Sequence, residues 1–91
     1  MIHARKDYNN RIQDNANIIP VNEPVFLLRG QDILAPDLLR RYAEQLQEQC
    51  PEKEEMIHAV VEHGDAMEEW QRTINVKIPD MPEGESIYSE D

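Results

Sequence analysis

The sequence feature that most constrains the fold is a pair of amphipathic stretches, each introduced by a proline. Pro36 and Pro51 suit the first turn of a helix, because proline fixes φ near the helical value and its missing N–H is not needed there. Acidic residues follow both prolines within four positions, where they interact favourably with the positive end of a helix dipole. We therefore predict two helices, over about residues 36–49 and 51–74, separated at Cys50-Pro51.

Both stretches carry apolar residues at helical spacing, so each helix should turn one face to the core. Steps of three, four and seven residues return to the same side of a helix with 3.6 residues per turn. On the first helix the apolar residues are Leu38, Leu39, Tyr42, Ala43 and Leu46. On the second helix they are Met56, Val60, Met67 and Ile74, flanked by Ile57, Gly64 and Trp70. Two such helices joined by a short turn predict an antiparallel helical hairpin.

Two short segments outside the hairpin have the character of strands. Pro20 and Pro24 disfavour a helix before residues 25–28, which read Val-Phe-Leu-Leu. Residues 76–78 alternate between apolar and charged side chains, as a strand does. Because a hairpin returns the chain to its starting point, we expect these two segments to pair with each other.

The two ends of the chain lack the pattern of a folded element. Residues 1–16 are polar and rich in asparagine, and their apolar residues follow neither helical nor strand spacing. Residues 83–91 are acidic and rich in small residues. We expect both ends to be disordered, which leaves a flexible arm over 1–16, a single small domain over 17–82 and an acidic tail over 83–91. The expected fold class is mainly α with a minor β component.

The charge balance restricts the classes of partner. Nine Lys and Arg residues stand against nineteen Asp and Glu residues, which gives a formal net charge of −10. Direct binding of nucleic acid relies on clustered basic residues, so this composition argues against it. No apolar run approaches the roughly 20 residues of a membrane span, and no hydrophobic signal segment follows the first charged residues. With a single cysteine, Cys50, the sequence predicts a cytoplasmic protein without internal disulfide bonds.

Signatures of catalysis and metal binding are weak. His58 and His63 lie five positions apart, which turns them about 140° from each other on a helix, so they cannot share one metal ion. We expect His63 at the edge of the core. No base stands beside Cys50 in the sequence, and the two serines, Ser86 and Ser89, lie in the predicted tail. We therefore expect no catalytic residue, no cofactor and no metal site.

One charged surface is a candidate for function. Carboxylates recur on one side of the second predicted helix at intervals of roughly 6 Å, close to the spacing of phosphates in nucleic acid. Trp70 is a candidate anchor, because tryptophan often dominates the energy of protein interfaces. The candidate partner-binding residues are Glu62, Asp65, Glu68, Glu69 and Trp70. The alternative is that the carboxylates serve solubility and that Trp70 belongs to the core.

A segment early in the predicted domain resembles a known group of proteins. It reads IPVNEPVFLLRGQD over residues 19–32, and Ala35-Pro36 and the sequence VKIPDMP over residues 76–82 continue the pattern. In these residues the chain is similar to small uncharacterised proteins of bacteriophages and bacteria. The resemblance implies no activity and no catalytic residue, but it favours a role as a viral accessory protein.

The combined sequence features predict a non-enzymatic acidic interaction protein. We expect it to modulate a host or viral protein, and a homodimer is a further expected assembly. One alternative is a nucleic-acid mimic, which would block a DNA- or RNA-binding protein with its carboxylates. Another is a small enzyme or metal protein, which would need the segment from Glu23 to Asp32 to form a pocket with His63.

Overall fold

A computed structural model of the chain describes residues 1–74 and 76–88 and shows a mainly helical protein. In chain order the elements are β1 (Ile2–His3), α1 (Lys6–Arg11), β2 (Pro24–Val25), α2 (Ala35–Gln49) and α3 (Glu54–Thr73). The predicted class, a helical hairpin with a minor β component, is confirmed. The chain groups into two compact units, Met1–Leu27 with the segment from Asp80 onward, and Leu28–Pro79. Among the described residues, no helix combines the length and apolar character needed to cross a membrane.

The turn of the hairpin lies between α2 and α3. The Lys53 N–H donates to the Cys50 carbonyl at 2.9 Å, which closes a four-residue turn before α3 begins at Glu54. Pro51 therefore occupies the second position of this turn, which proline favours, and not the first turn of a helix. This is why α3 starts three residues later than the sequence predicts.

The hairpin packs through its smallest residues. Gly64 of α3 is buried, and a Cβ atom there would lie 3.4 Å from the Pro36 carbonyl oxygen and 3.5 Å from the Leu39 Cβ. Ala35 and Ala43 of α2 are also buried. Helices approach most closely where side chains are smallest, so this contact, and not the larger apolar residues, fixes which faces meet.

The predicted core faces are therefore wrong in part. The structure leaves Leu38, Tyr42, Met56 and Ile74 about half exposed, although the sequence analysis assigned all four to the core. Gly64, predicted only to flank the core, lies at its centre. The helices are rotated relative to the prediction because the close approach at Gly64 turns the longer side chains outward.

The predicted pairing of residues 25–28 with residues 76–78 is also wrong. β2 pairs in parallel with β1, near the N-terminus. Lys77 instead forms an isolated bridge with Asp32, through backbone hydrogen bonds of 2.7 and 2.9 Å to the residues on either side of it. The antiparallel hairpin returns the chain to the residues directly before α2, and Asp32 is closer to that point than residues 25–28 are.

The first sixteen residues, predicted as a disordered arm, contain β1 and α1. His3 and Tyr8 are buried, with 1% and 5% of their surface exposed. The Asn9 side chain donates to the His3 carbonyl at 2.9 Å and accepts from the His3 N–H at 2.7 Å. The Ile2 N–H of β1 also donates to the Glu23 carbonyl at 2.9 Å. Sequence periodicity misses this unit because its order depends on partners far along the chain.

The predicted tail is likewise structured over its described residues, 83–88. The Lys6 N–H donates to the Glu85 carbonyl at 2.6 Å, and the Ile87 N–H donates to the Ala4 carbonyl at 2.9 Å. Residues 85–87 thus pair with residues 4–6 within one unit. Ser89, Glu90 and Asp91, the remainder of the predicted tail, lie outside the described residues.

Candidate functional site

The four carboxylates predicted to bind a partner are exposed on α3, but Trp70 does not share their side of the helix. At about 100° per residue, Glu62, Asp65 and Glu69 lie within about 60° of one another, with Glu68 next to them toward α2. Between 43% and 68% of each carboxylate side chain is exposed. Trp70 lies at least about 80° away around the helix and is half exposed. We call the four acidic residues the carboxylate face.

Arg40 of α2 binds two residues of the carboxylate face. Its guanidinium donates to Asp65 Oδ1 at 3.0 Å and to Glu68 Oε2, and it lies 3.3 Å from Asp37 within α2. Hydrogen bonds from Arg40 to Asp65 and Glu68 raise the pKa of Arg40 above its ordinary value. The sequence analysis missed Arg40. It could have been found, because Arg40 and Asp65 are about equally far from the turn at residues 50–53 and so face each other across an antiparallel hairpin.

The other carboxylates also have partners. Arg72 lies 3.2 Å from Glu69 and 3.8 Å from Glu68, and the His58 Nε2 lies 3.0 Å from Glu62 Oε1. Two guanidinium groups among four carboxylates halve the formal charge of the face. The potential around it is therefore weaker than the sequence pattern implies, because each cation cancels the field of a neighbouring anion.

The two sides of the hairpin can be distinguished by rotation from the helix–helix contact. In an antiparallel pair, residues displaced in the same rotational sense lie on the same side, because a two-fold axis relates the helices. Gly64 and Pro36 mark the contact. Glu68 and Arg40 are each displaced from it by about 40° in one sense, and they form an ion pair, as the rule requires.

The opposite sense of rotation leads to a side that we call the uncharged face. Its exposed members with large or aromatic side chains are Leu38, Tyr42, Met56, His63 and Trp70, and Gly30 lies against Trp70 at one end of it. Between about 40° and 160° from the contact in this sense, neither α2 nor α3 has an Asp, Glu, Lys or Arg residue. The four apolar or aromatic members are 45–51% exposed. The expected position of His63 at the core edge is wrong, since its side chain is exposed on this face.

Other features of the described residues do not form an enclosed or metal-binding site. A depression at the turn is lined by Glu52, Lys53, Glu54, Glu55, Met56 and Ala59, and it is open to solvent. Within residues 1–74 and 76–88, no three His, Cys, Asp or Glu side chains are placed to hold one metal ion. The Asp32 carboxylate accepts the Leu34 N–H at 2.8 Å and so supports the turn before α2.

A buried cluster around His3 in the N-terminal unit was not predicted. The imidazole stacks on the Phe26 ring at 4.9 Å and meets the Tyr8 ring edge-on at 4.8 Å. Its Nδ1 accepts the Arg5 N–H at 2.9 Å, which leaves Nε2 as the protonated nitrogen, without a partner among the described residues. Arg5 also forms hydrogen bonds of 2.6 and 2.9 Å with Asp7, and these lower the pKa of that carboxyl. The aromatic contacts give His3 a structural role.

The hairpin thus presents two surfaces of opposite character, a partly neutralised carboxylate face and an apolar uncharged face. The structure separates the predicted site residues between them, with Glu62, Asp65, Glu68 and Glu69 on the first and Trp70 on the second. No protein-family model, curated protein or solved structure matches this chain.

Proposed function

We propose that this protein is a non-enzymatic interaction protein that binds another protein through the uncharged face. The observation that carries the proposal is the side of the hairpin on which four large apolar residues of α2 and α3 are half exposed and neither helix has a charged residue. In a chain of which 31% is charged, a side of two helices free of charge is unusual. Such surfaces mark interaction sites, because burying them removes apolar area from water without burying a charge.

The residue types of this face suit a protein interface. Tryptophan, tyrosine and methionine are enriched in the buried centres of interfaces, and lysine, glutamate and aspartate are depleted there. Burial of the exposed half of Tyr42, Met56 or Trp70 would contribute about 1 kcal/mol or more each, from the apolar area removed from water. Trp70 remains the proposed anchor, now on the apolar side of α3 and not among the carboxylates.

The carboxylate face supports the alternative function, a nucleic-acid mimic, less well. Arg40 and Arg72 lie among its carboxylates, whereas a phosphate-like surface needs an uninterrupted row of negative charge. A role of this face in solubility fits both its exposure and its internal ion pairs.

The setting that we propose is that of an accessory protein in the cytoplasm. The accessory role, in which the chain modulates a host or viral protein, rests on the pattern resemblance of residues 19–32 given in the sequence analysis. The single cysteine, Cys50, is compatible with a reducing compartment.

Affinity capture with two matched variants tests the proposed function. Met56→Glu and Val61→Glu each replace an exposed apolar residue of α3 by glutamate, on the uncharged side and on the charged side of Gly64 respectively. A protein from the producing cells that wild type and Val61→Glu retain, but Met56→Glu loses, supports binding through the uncharged face. A protein that Met56→Glu retains, but the triple change of Glu62, Asp65 and Glu69 to glutamine loses, would show that the carboxylates are the binding surface.

A further inference from the structure

We infer that the partner seated on the uncharged face is a second copy of this chain, so that two hairpins pack face to face as a four-helix bundle. This inference rests on the proposed function, since it uses the same face. An isologous dimer needs a single patch that is complementary to itself. A surface of Leu, Tyr, Met, Trp and His side chains without Asp, Glu, Lys or Arg meets that requirement, because two copies of it can meet without opposing carboxylates or opposing ammonium or guanidinium groups.

The charges of the chain restrict where two copies can meet. Each copy has a formal net charge of −10, so two copies repel each other at long range. A contact through the carboxylate face would place Glu62, Asp65 and Glu69 of one copy against the same residues of the other. Burying like charges together is strongly unfavourable. Of the two sides of the hairpin, only the uncharged face allows self-association.

The size of the face limits the association to a weak, reversible dimer. α2 and α3, with 15 and 20 residues, are about 22 and 30 Å long, and side by side they are about 20 Å wide. Residues 30–32 already pack on the end of α3 around Met67 and Trp70, so about 20 Å of the face is free along the helices. The footprint is therefore roughly 400 Å² per copy, or about 800 Å² in total, which is the size of a weak and transient interface. We expect a dimer that dissociates on dilution.

The dependence on salt distinguishes this association from one driven by opposite charges. Added salt screens the repulsion between two acidic copies but leaves the apolar attraction in place. The dimer should therefore become tighter as salt is raised. Binding of a basic partner by the carboxylate face would become weaker under the same change.

The test is sedimentation equilibrium of the purified chain over a wide concentration range, at low and at high salt. We expect a monomer–dimer equilibrium that shifts toward dimer with salt. Met56→Glu in α3 and Tyr42→Glu in α2 should each weaken the dimer at least tenfold, because they place like charges opposite each other in the interface. Val61→Glu adds the same charge on the other side of α3 and should weaken it less than about threefold.

Circular dichroism of each variant shows whether its hairpin is folded. Met56→Glu and Tyr42→Glu lie on different helices, so one remains informative if the other unfolds. A wild-type chain that stays monomeric at every concentration would overturn the inference. A dimer weakened equally by Met56→Glu and Val61→Glu, or loosened by salt, would also overturn it. The outcomes are separable from the proposed function: a monomer that still captures a cellular protein through the uncharged face refutes the dimer alone.

Discussion

Substitutions of increasing size at Gly64 test whether the closest approach of α2 and α3 is at this residue. An alanine Cβ would lie 3.4 Å from the Pro36 carbonyl oxygen and 3.5 Å from the Leu39 Cβ, which is ordinary contact. Alanine also favours the helix by about 1 kcal/mol relative to glycine. Gly64→Ala should therefore be neutral or stabilising by up to about 1 kcal/mol.

Leucine or valine at the same position should have the opposite effect. Each Cγ atom extends about 1.5 Å beyond the Cβ, so part of the added side chain would meet the backbone of α2 unless the helices separate. Overpacking of this kind costs about 1–3 kcal/mol, a large share of the roughly 5 kcal/mol that a small domain possesses. In order of decreasing stability we therefore expect Gly64→Ala, wild type, Gly64→Val and Gly64→Leu.

Chemical denaturation followed by circular dichroism measures this series at one protein concentration, because any self-association would contribute to the apparent stability. Ala66→Leu is the matched control, since Ala66 is exposed on the same helix, about 160° around it from Gly64. If Gly64→Leu were as stable as Gly64→Ala, the helices could not approach each other at Gly64, and the rotation that defines the uncharged face would be wrong.

Three further predictions concern polar contacts. Arg40→Met should lower the thermal midpoint, and the loss should shrink at high salt, because the guanidinium pairs with exposed carboxylates across the hairpin; calorimetry at two salt concentrations measures this. Since Arg5 lowers the folded-state pKa of Asp7 below its ordinary value of 3.8, the stability from this pair should be fully present above about pH 4 and lost as the pH falls through the folded pKa. Carbon-13 NMR titration should give an Asp7 midpoint below 3.8, and Asp7→Asn should remove this part of the acid sensitivity; a midpoint at or above 3.8 would contradict it. His3→Ala should destabilise the N-terminal unit by about 2–4 kcal/mol, because it empties a buried site and leaves the Arg5 N–H without its acceptor; unchanged amide exchange in that unit would refute this.

The carboxylate face shows that the net charge of a surface in the folded protein can differ from the charge its own helix suggests. Along α3 the acidic residues form a nearly continuous row, and the sequence spacing alone suggests a phosphate-like surface. The hairpin adds Arg40 from the neighbouring helix, and Arg72 comes from the last turn of α3 itself. A surface that looks strongly acidic in one helix is partly neutralised once the second helix is in place.

The sequence by itself determined the elements whose order is local. The two long helices follow from apolar residues repeated every three to four positions and from the prolines that precede them, since helix formation depends on residues within a turn of one another. The same periodicity correctly placed Glu62, Asp65, Glu68 and Glu69 together on one side of α3. It grouped Trp70 with these carboxylates as one candidate site, although Trp70 lies on the opposite, uncharged face.

Only the tertiary structure decided which side of each helix faces inward. Helical periodicity identifies an apolar side that is wider than one contact, and the position of the contact within it depends on how closely two backbones can approach. That depends on Gly64, which has no side chain and therefore contributes nothing to a hydrophobic pattern. The order of the N-terminal unit could not be predicted from local sequence either, because backbone hydrogen bonds to Glu23 and Glu85, far along the chain, hold it in place. Sequence patterns report neighbours within a few residues, whereas packing and long-range pairing depend on residues that only the fold brings together.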